Sequence, residues 1–422
     1  MLTGKMYKTV ILPVLLAAIL LLAYIAVNVL TASPVNAEEL SKGVKAERIS
    51  APELSDDFIS AAEDFSLSLF KQTADTGKNS LISPVSAALA LGMTANGSGG
   101  NTLAQFNKLL GKDSITTEQL NKFYYSMSRL LQNDKYNKIR IANSIWYKNS
   151  ESLNVKQDFL QNNADYYGAA AYKADFGSPD TIKAINNWVK TNTGGMIDKI
   201  IDKIDAQTVM YLFNTLMFDA EWEKIYKSSD IHDGSFTLPE KDTVTVPYMY
   251  SSEKYIKSEN AEGFIKPYKG NKYSFVGILP NKDMTLEEYL KTLDGKSFQD
   301  ILNSGSNETA KIGLPKFKYD CSASLVEPLK ALGLTDGFDP NKADFSKMAS
   351  DTEGNIYVSN VLQKTFIQVD DKGTKAGAVT KVEMITTGAL IEKNLTLNRP
   401  FLFAIIENDT KLPLFIGTVA NP

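Results

Sequence analysis

The sequence predicts an α+β domain, and three observations support that class. Segments with helical and with strand periodicity follow one another without the regular alternation of a parallel α/β domain. The 422-residue chain is 43% hydrophobic and 22% charged, so it can bury a sizeable core. No internal repeat, low-complexity tract or Pro/Gly/Ser-rich linker divides residues 57–422. We therefore expect one large domain after the N-terminal segments.

Residues 1–37 have the layout of an export signal. Lys5 and Lys8 precede an apolar run from Val10 to Leu30, and residues 35–37 suit a signal peptidase. The run of about 20 residues is also long enough to span a bilayer as a helix. We therefore predict export in one of two forms. The protein is either secreted after cleavage behind Ala37, which we favour, or anchored through residues 10–30 on the outer side of the cytoplasmic membrane.

Residues 38–56 form a mixed polar extension with scattered charge and one proline. Leu40, Val44, Ile49 and Leu54 give it some apolar surface. Two interpretations stay open, a free tether and a segment that lies against the body.

The body begins near Asp57 with a helix, since apolar residues recur from there at helical spacing and Ser55 or Asp56 can cap the first turn. Ser83–Met93 is predicted as a second helix, opened by Ser83-Pro84 in the cap and first-turn arrangement. The Gly-rich stretch Asn96–Asn101 is predicted as a loop, followed by an amphipathic helix over Thr102–Leu110.

Residues 371–392 combine the pattern of a strand with the composition of a loop. From Thr374 to Thr386 every second residue is uncharged, whereas Lys375, Lys381 and Glu383 occupy the intervening positions. The segment is nevertheless rich in small residues and has turn-like sequence at both ends. It is either an edge strand followed by a turn or a segment that changes its structural state.

Charge and cysteine content exclude several classes of protein. The net charge is −4 and no basic face or arm is evident, which argues against binding to nucleic acid. A single cysteine, Cys321, excludes an internal disulfide. Its neighbours include no activating cation, so we interpret it as a passive thiol.

The sequence lacks the residues of a catalytic or metal site. Its only histidine, His232, is predicted to lie in a polar loop, and no G-x-S-x-G motif is present. One histidine and one cysteine supply a zinc site poorly, and neither a dinucleotide loop nor a phosphate loop is complete. We expect no enzyme activity, no metal and no cofactor.

Ordered motifs covering residues 57–422 closely resemble those of the serpins. They are Asn79–Ser86, Ile141–Trp146, Ile185–Val189 with Thr193–Ile197, Asn214–Trp222, Val246–Met249, Leu314–Phe317, Tyr357–Val361, Leu395–Glu407 and Pro413–Pro422. The resemblance implies a metastable single domain with three β-sheets, about eight or nine helices and an exposed reactive loop at about residues 371–397.

The same resemblance implies a function as a monomeric suicide-substrate inhibitor. In such proteins a serine protease cleaves the reactive loop, becomes acyl-linked, and is trapped when the loop inserts into the central sheet. The covalently bound partner would be the target protease. A noninhibitory serpin that acts as a binding or assembly module, and an enzyme of unknown class, remain the alternatives.

The resemblance also assigns roles to individual residues. The inhibitory hinge pattern is matched by Gly373, Thr374, Ala376 and Ala378, although Lys375 and Asp371 stand where the family usually has glutamates. No bulky, charged or proline residue occupies an inward-facing hinge position, which favours an inhibitor.

A polar cluster beneath the sheet, which controls strand separation in the family, is matched by Ser83, Ser86 and Asn214. Gln363 replaces its histidine, so sheet opening at this site should not titrate near neutral pH. Trp222 matches the tryptophan at the end of the sheet where insertion begins, although it is also explained by aromatic packing.

Two positions for the cleaved bond follow from two ways of counting. Seventeen residues counted from Asp371 place the bond at Thr387-Gly388, which we favour, and counting back from the C-terminal motif gives Ala389-Leu390. Both place a small uncharged residue in the protease's primary pocket, which suits elastase-like or subtilisin-like enzymes.

Overall fold

The computed structural model describes residues 37–132, 134–205, 208–305, 308–352, 354–374 and 393–422. Residues 10–30, Ala376, Ala378 and both candidate cleavage sites, Thr387-Gly388 and Ala389-Leu390, lie outside these ranges.

The described residues form nine helices and eighteen strands in an α+β arrangement, which confirms the predicted class. The helices are α1 (Asp56–Thr73), α2 (Pro84–Ala95), α3 (Gly100–Gly111), α4 (Thr117–Gln132), α5 (Gln157–Tyr167), α6 (Pro179–Asn192), α7 (Leu286–Thr292), α8 (Gly295–Asn303) and α9 (Val326–Ala331). The strands are β1 (Ala37–Glu39), β2 (Ser80–Ile82), β3 (Lys138–Lys148), β4 (Asn154–Val155), β5 (Ala170–Ala174), β6 (Met210–Glu221), β7 (Ile231–Thr237), β8 (Thr243–Lys257), β9 (Ala261–Pro267), β10 (Tyr273–Pro280), β11 (Thr309–Pro315), β12 (Phe317–Ser324), β13 (Ala349–Ser350), β14 (Asn360–Val369), β15 (Gly373–Thr374), β16 (Lys393–Thr396), β17 (Phe401–Glu407) and β18 (Pro413–Val419).

The first helices begin where their capping residues predict. The Ser55 hydroxyl accepts a hydrogen bond from the Phe58 amide at 3.2 Å, at the start of α1. Ser83 caps α2 in the same way, and Pro84 occupies the first turn. Every residue of α2 is buried, because this helix packs between the two large sheets and contacts β6 and β18.

Helix α3 begins at Gly100, two residues before the predicted start, so the expected loop is shorter than Asn96–Asn101. Gly99 is its N-cap, and the Gly99 carbonyl accepts the first helical hydrogen bond from Leu103 at 2.9 Å. A side chain at Gly99 would come within 2.7 Å of Asp344, so the glycine permits this close packing rather than an extended loop.

The central sheet has seven strands in the order β1-β5-β3-β6-β15-β14-β12. Strands β6 and β14 pair directly only at one end, where Asn360–Gln363 lie parallel to Tyr211–Asn214. At the other end the two-residue strand β15 lies between them and pairs antiparallel to both. The sheet therefore contains a short strand inserted between two longer neighbours.

A nine-stranded sheet and a two-stranded sheet complete the architecture. The larger one runs β16-β11-β8-β9-β10-β17-β18-β2, with β7 paired to β8, and the smaller one pairs β13 with β4. His232 lies in β7 opposite Tyr248, so its predicted placement in a polar loop is wrong. Only Phe236 of β7 is fully buried, so the strand's sequence carries little apolar alternation.

The extension before α1 lies against the body along much of its length. Strand β1 pairs antiparallel with β5, and the Leu40 amide donates to the Ala171 carbonyl at 2.8 Å. Leu40, Val44 and Leu54 pack on the main core. Of the two interpretations left open by the sequence, the structure shows the docked one. No helix in the described ranges has the length and apolar character needed to span a membrane.

Candidate functional site

The site is built around the hinge strand β15 at one end of the gap between β6 and β14. Thr374 pairs with Val369 on one side and with Ala220 on the other. Its side chain is buried, and its hydroxyl shares a 2.5 Å hydrogen bond with the Tyr268 hydroxyl. Thr374 therefore faces inward, as its place in the uncharged set predicts.

Gly373 is required at this point by the close approach of two backbones. A Cβ atom added there would lie 2.0 Å from the Ala220 carbonyl oxygen and 2.9 Å from the Glu221 Cα atom. Any other residue would push β15 away from β6. The glycine expected from the hinge pattern thus has a steric reason in this chain.

Three aromatic residues, Trp222, Tyr226 and Tyr268, hold the turn that precedes β15, and we call them the hinge clamp. The backbone amides of Trp222 and Tyr226 donate to the carbonyls of Lys372 and Asp371 at 2.9 and 3.0 Å. The Trp222 indole stacks on Tyr268 with ring centroids 4.6 Å apart.

The Trp222 Nε1 atom also donates to the Asp370 carbonyl at 2.8 Å. Trp222 consequently contacts the hinge through its backbone and its ring, and its role is more specific than aromatic packing alone.

An ion pair between Lys316 and Asp371 closes the other side of the turn, at 2.5 Å. Partial burial alone would raise the pKa of Asp371, but the hydrogen bond from Lys316 and the positive charge hold that pKa below its usual value. Sequence reasoning noticed Asp371 but missed Lys316, because no local pattern connects residues 55 positions apart.

Of the predicted sheet-opening cluster, Ser83 and Gln363 meet directly. The Ser83 amide donates to Gln363 Oε1 and Gln363 Nε2 donates to the Ser83 carbonyl, both at 2.9 Å. These two bonds fasten β14 to the start of α2. Both groups are neutral, so the contact contains no group that titrates near pH 7.

Asn214 bonds to a residue that sequence reasoning did not consider. Its Nδ2 atom donates to the Asn143 side chain, directly across the β3–β6 pair. Asn214 lies opposite Gln363 in the register of β6 and β14. Among the described residues, Asn214 Oδ1 and Ser86 Oγ are buried without a hydrogen-bond partner, so this polar layer is incompletely satisfied.

The two other side chains singled out in the sequence, His232 of β7 and Cys321 of β12, lie in different sheets. No group of three or more His, Cys, Asp or Glu side chains in these ranges could hold a metal ion. His232 lies beside Tyr250, with ring centroids 6.0 Å apart. Burial raises the pKa of Cys321 to about 11, which agrees with a passive thiol.

Comparisons with known proteins agree with this geometry. A family model described as "Serpin (serine protease inhibitor)" matches residues 60–422. Leukocyte elastase inhibitor A of Mus musculus is 30% identical over 383 residues, covering 85% of this chain and 97% of that protein. Human neuroserpin is 27% identical over 378 residues, covering 86% of this chain and 91% of that protein.

Solved structures of the thermophilic serpin tengpin are also similar. The native state matches with a TM-score of 0.88 and 49% identity, covering 92% of this chain and 100% of the other. The latent state matches with a TM-score of 0.78 and 46% identity, covering 88% of this chain and 99% of the other.

Proposed function

Because this chain belongs to the serpin family, whose curated relatives include named protease inhibitors, we propose that it inhibits serine proteases by insertion of its reactive loop. The observation that carries the proposal is the position of β15, already paired between β6 and β14. Insertion of the residues after Thr374 would extend β15 along the gap between β6 and β14.

The proposed reaction begins when the serine hydroxyl of the protease attacks the carbonyl carbon of Thr387. The bond to the Gly388 nitrogen breaks, Gly388 leaves as a free amine, and an ester joins the protease to Thr387. The loop from Thr374 then extends between β6 and β14. Hydrolysis of the ester would release the protease, so inhibition requires that insertion be faster than the attack of water.

Insertion must separate the four residue pairs that join β6 and β14 directly, which include Gln363 opposite Asn214. The inserted strand would gain hydrogen bonds on both sides. Thr374 faces inward, and side chains alternate along a strand, so Ala376, Ala378 and the following uncharged positions would share its face. The charged positions between them would face solvent.

The proposed target is an elastase-like or subtilisin-like protease, since Thr387 and Ala389 both fit a small primary pocket. The monomer would act outside the cytoplasm, either secreted or held at the membrane through residues 10–30. The sequence of residues 1–37 supports this localisation.

The test is incubation of the full chain with pancreatic elastase and subtilisin, followed by electrophoresis in denaturing detergent. We expect a covalent complex with at least one enzyme and little with trypsin. Mass spectrometry of the released C-terminal peptide should show a new amino terminus at Gly388. A terminus at Leu390 would move the bond to Ala389-Leu390, and cleavage without any complex would indicate a noninhibitory serpin.

A further inference from the structure

A buried ion pair lies behind the hinge clamp, in the second sheet. Lys266 of β9 and Glu253 of β8 are joined by a 2.6 Å contact between Nζ and Oε1. The Lys266 side chain is only 1% exposed and that of Glu253 is 10% exposed. Burying an ammonium group at this depth is costly unless the charge is paired and hydrogen-bonded.

The contacts of the Lys266 ammonium converge on residues 222–226, which include the clamp residues Trp222 and Tyr226. The Nζ atom lies 5.3 Å from the Trp222 ring centroid and 4.4 Å from that of Tyr226. It also donates to the Lys224 carbonyl at 3.2 Å. One cation therefore contacts the backbone between Trp222 and Tyr226 and the rings of these two clamp residues.

The opposite side of the same segment holds the hinge. The amides of Trp222 and Tyr226 bind the carbonyls of Lys372 and Asp371, as described above. A shift of residues 222–226 would therefore move the turn from which β15 begins. Within the described residues, the contacts of the Lys266 ammonium go to Glu253 and to residues 222–226, so we argue its effect on the hinge through the clamp.

We propose that Lys266, held in place by Glu253, is a positioning residue that sets the start of the inserting strand. The expected effect on the rate of insertion rests on the proposed inhibitory function. The structural part of the proposal, that the cation fixes residues 222–226 against the hinge, stands without that function.

The competing explanation is that the Glu253–Lys266 pair only stabilises the fold, without positioning residues 222–226. In that case, variants should change the melting temperature but not the hinge clamp. Buried ion pairs contribute little net stability compared with apolar residues of similar size, whereas removing one partner alone leaves a buried unpaired charge. The double variant Glu253→Gln/Lys266→Met removes both charges and nearly preserves side-chain volume. It should melt within a few degrees of the parent while lacking the cation, and the single variant Lys266→Met should melt lower.

Hydrogen exchange followed by mass spectrometry on the full chain measures how firmly the Trp222 and Tyr226 amides are held. In the double variant we expect the amides of Trp222 and Tyr226 to exchange about tenfold faster than in the parent. Amides of β17 serve as the internal reference and should keep the parent rate. Parent-like exchange at the Trp222 and Tyr226 amides would overturn the proposal, whatever happens to the melting temperature.

The second measurement is the number of inhibitor molecules consumed per protease trapped. A delayed start of insertion gives water more time to hydrolyse the ester, so the double variant should require at least about twofold more inhibitor than the parent. If the parent forms a complex and the double variant matches its stoichiometry, the positioning role is refuted. If the parent forms no complex, the proposed function fails, and the exchange experiment still decides whether Lys266 positions the clamp.

Discussion

Replacing Glu63 by glutamine should stabilise the protein at alkaline pH and have little effect at acidic pH. Glu63 lies in α1 and is only 5% exposed, and its Oε1 atom has no hydrogen-bond partner among the described residues. Burial raises its pKa from 4.5 to about 8, and the neighbouring Asp64 and Asp294 add to that rise. Gln299 and Lys112 act in the opposite direction but do not offset it.

The direction of this pH dependence follows from the protonation of Glu63 in the folded and unfolded states. Between about pH 4.5 and pH 8 the unfolded chain has released the proton of Glu63, whereas the folded protein still holds it. The free energy of unfolding therefore falls as the pH rises through this window and levels off above it. From pH 5 to pH 8 the loss amounts to at most roughly 4 kcal/mol, at about 1.4 kcal/mol per pKa unit.

Urea unfolding of the parent and of Glu63→Gln, followed by tryptophan fluorescence at pH 5 and pH 8.5, tests this reasoning. The midpoint of the variant should exceed that of the parent clearly at pH 8.5 and only slightly at pH 5. Glu118→Gln, on the exposed face of α4, is the matched control and should show no such pH dependence. An equal shift at both pH values, or a loss of stability at pH 8.5, would refute the assignment of a buried neutral carboxyl.

Four further outcomes are expected. Thr374→Arg should favour simple cleavage over trapping, because a charge at this already buried position beside Tyr268 costs several kcal/mol and would displace β15 from the gap where insertion begins. An unchanged stoichiometry of inhibition would contradict this. Cleavage within residues 382–390 should raise the melting temperature sharply, and a clipped protein that melts like the intact one would show that its loop stays out. Deletion of residues 38–56 should speed the spontaneous loss of inhibitory activity, since the pairing of Glu38 and Glu39 with β5 is lost. An unchanged rate would show that the extension contributes nothing to the native state. Gln363→His should speed the spontaneous loss of inhibitory activity below about pH 6.5, where a protonated ring can no longer accept the hydrogen bond of the Ser83 amide. A rate that does not change with pH would argue against this.

Local sequence signals predicted the features that depend on residues close together in the sequence. The caps of α1 and α2 were identifiable because Ser55 and Ser83 satisfy amides only a few residues away. The inward direction of Thr374 followed from the alternation of charged and uncharged positions, which the structure shows for the first residue of the series.

Contacts between distant parts of the chain could not be predicted in this way. Asn143 and Asn214 are 71 residues apart, and neither lies in a pattern that names its partner. The Glu253–Lys266 pair was also missed, because a lysine and a glutamate in neighbouring strands look like ordinary surface residues until burial is known. The family resemblance supplied Ser83, Asn214 and Gln363 as a group, but it could not show that Asn214 turns away from Gln363 toward β3.

The pairing of β18 with β2 has a consequence for how the chain reaches its native state. Asn79, next to β2, binds the backbone of Ala420 and Asn421 through three hydrogen bonds of 2.6 to 2.9 Å. These partners lie 341 and 342 positions after Asn79 in the sequence. This edge of the second sheet therefore joins segments that are far apart in sequence, and long-range pairing of this kind is slow. A nascent chain therefore carries β2 without this partner until β18 has been made, so this edge of the sheet forms late in folding.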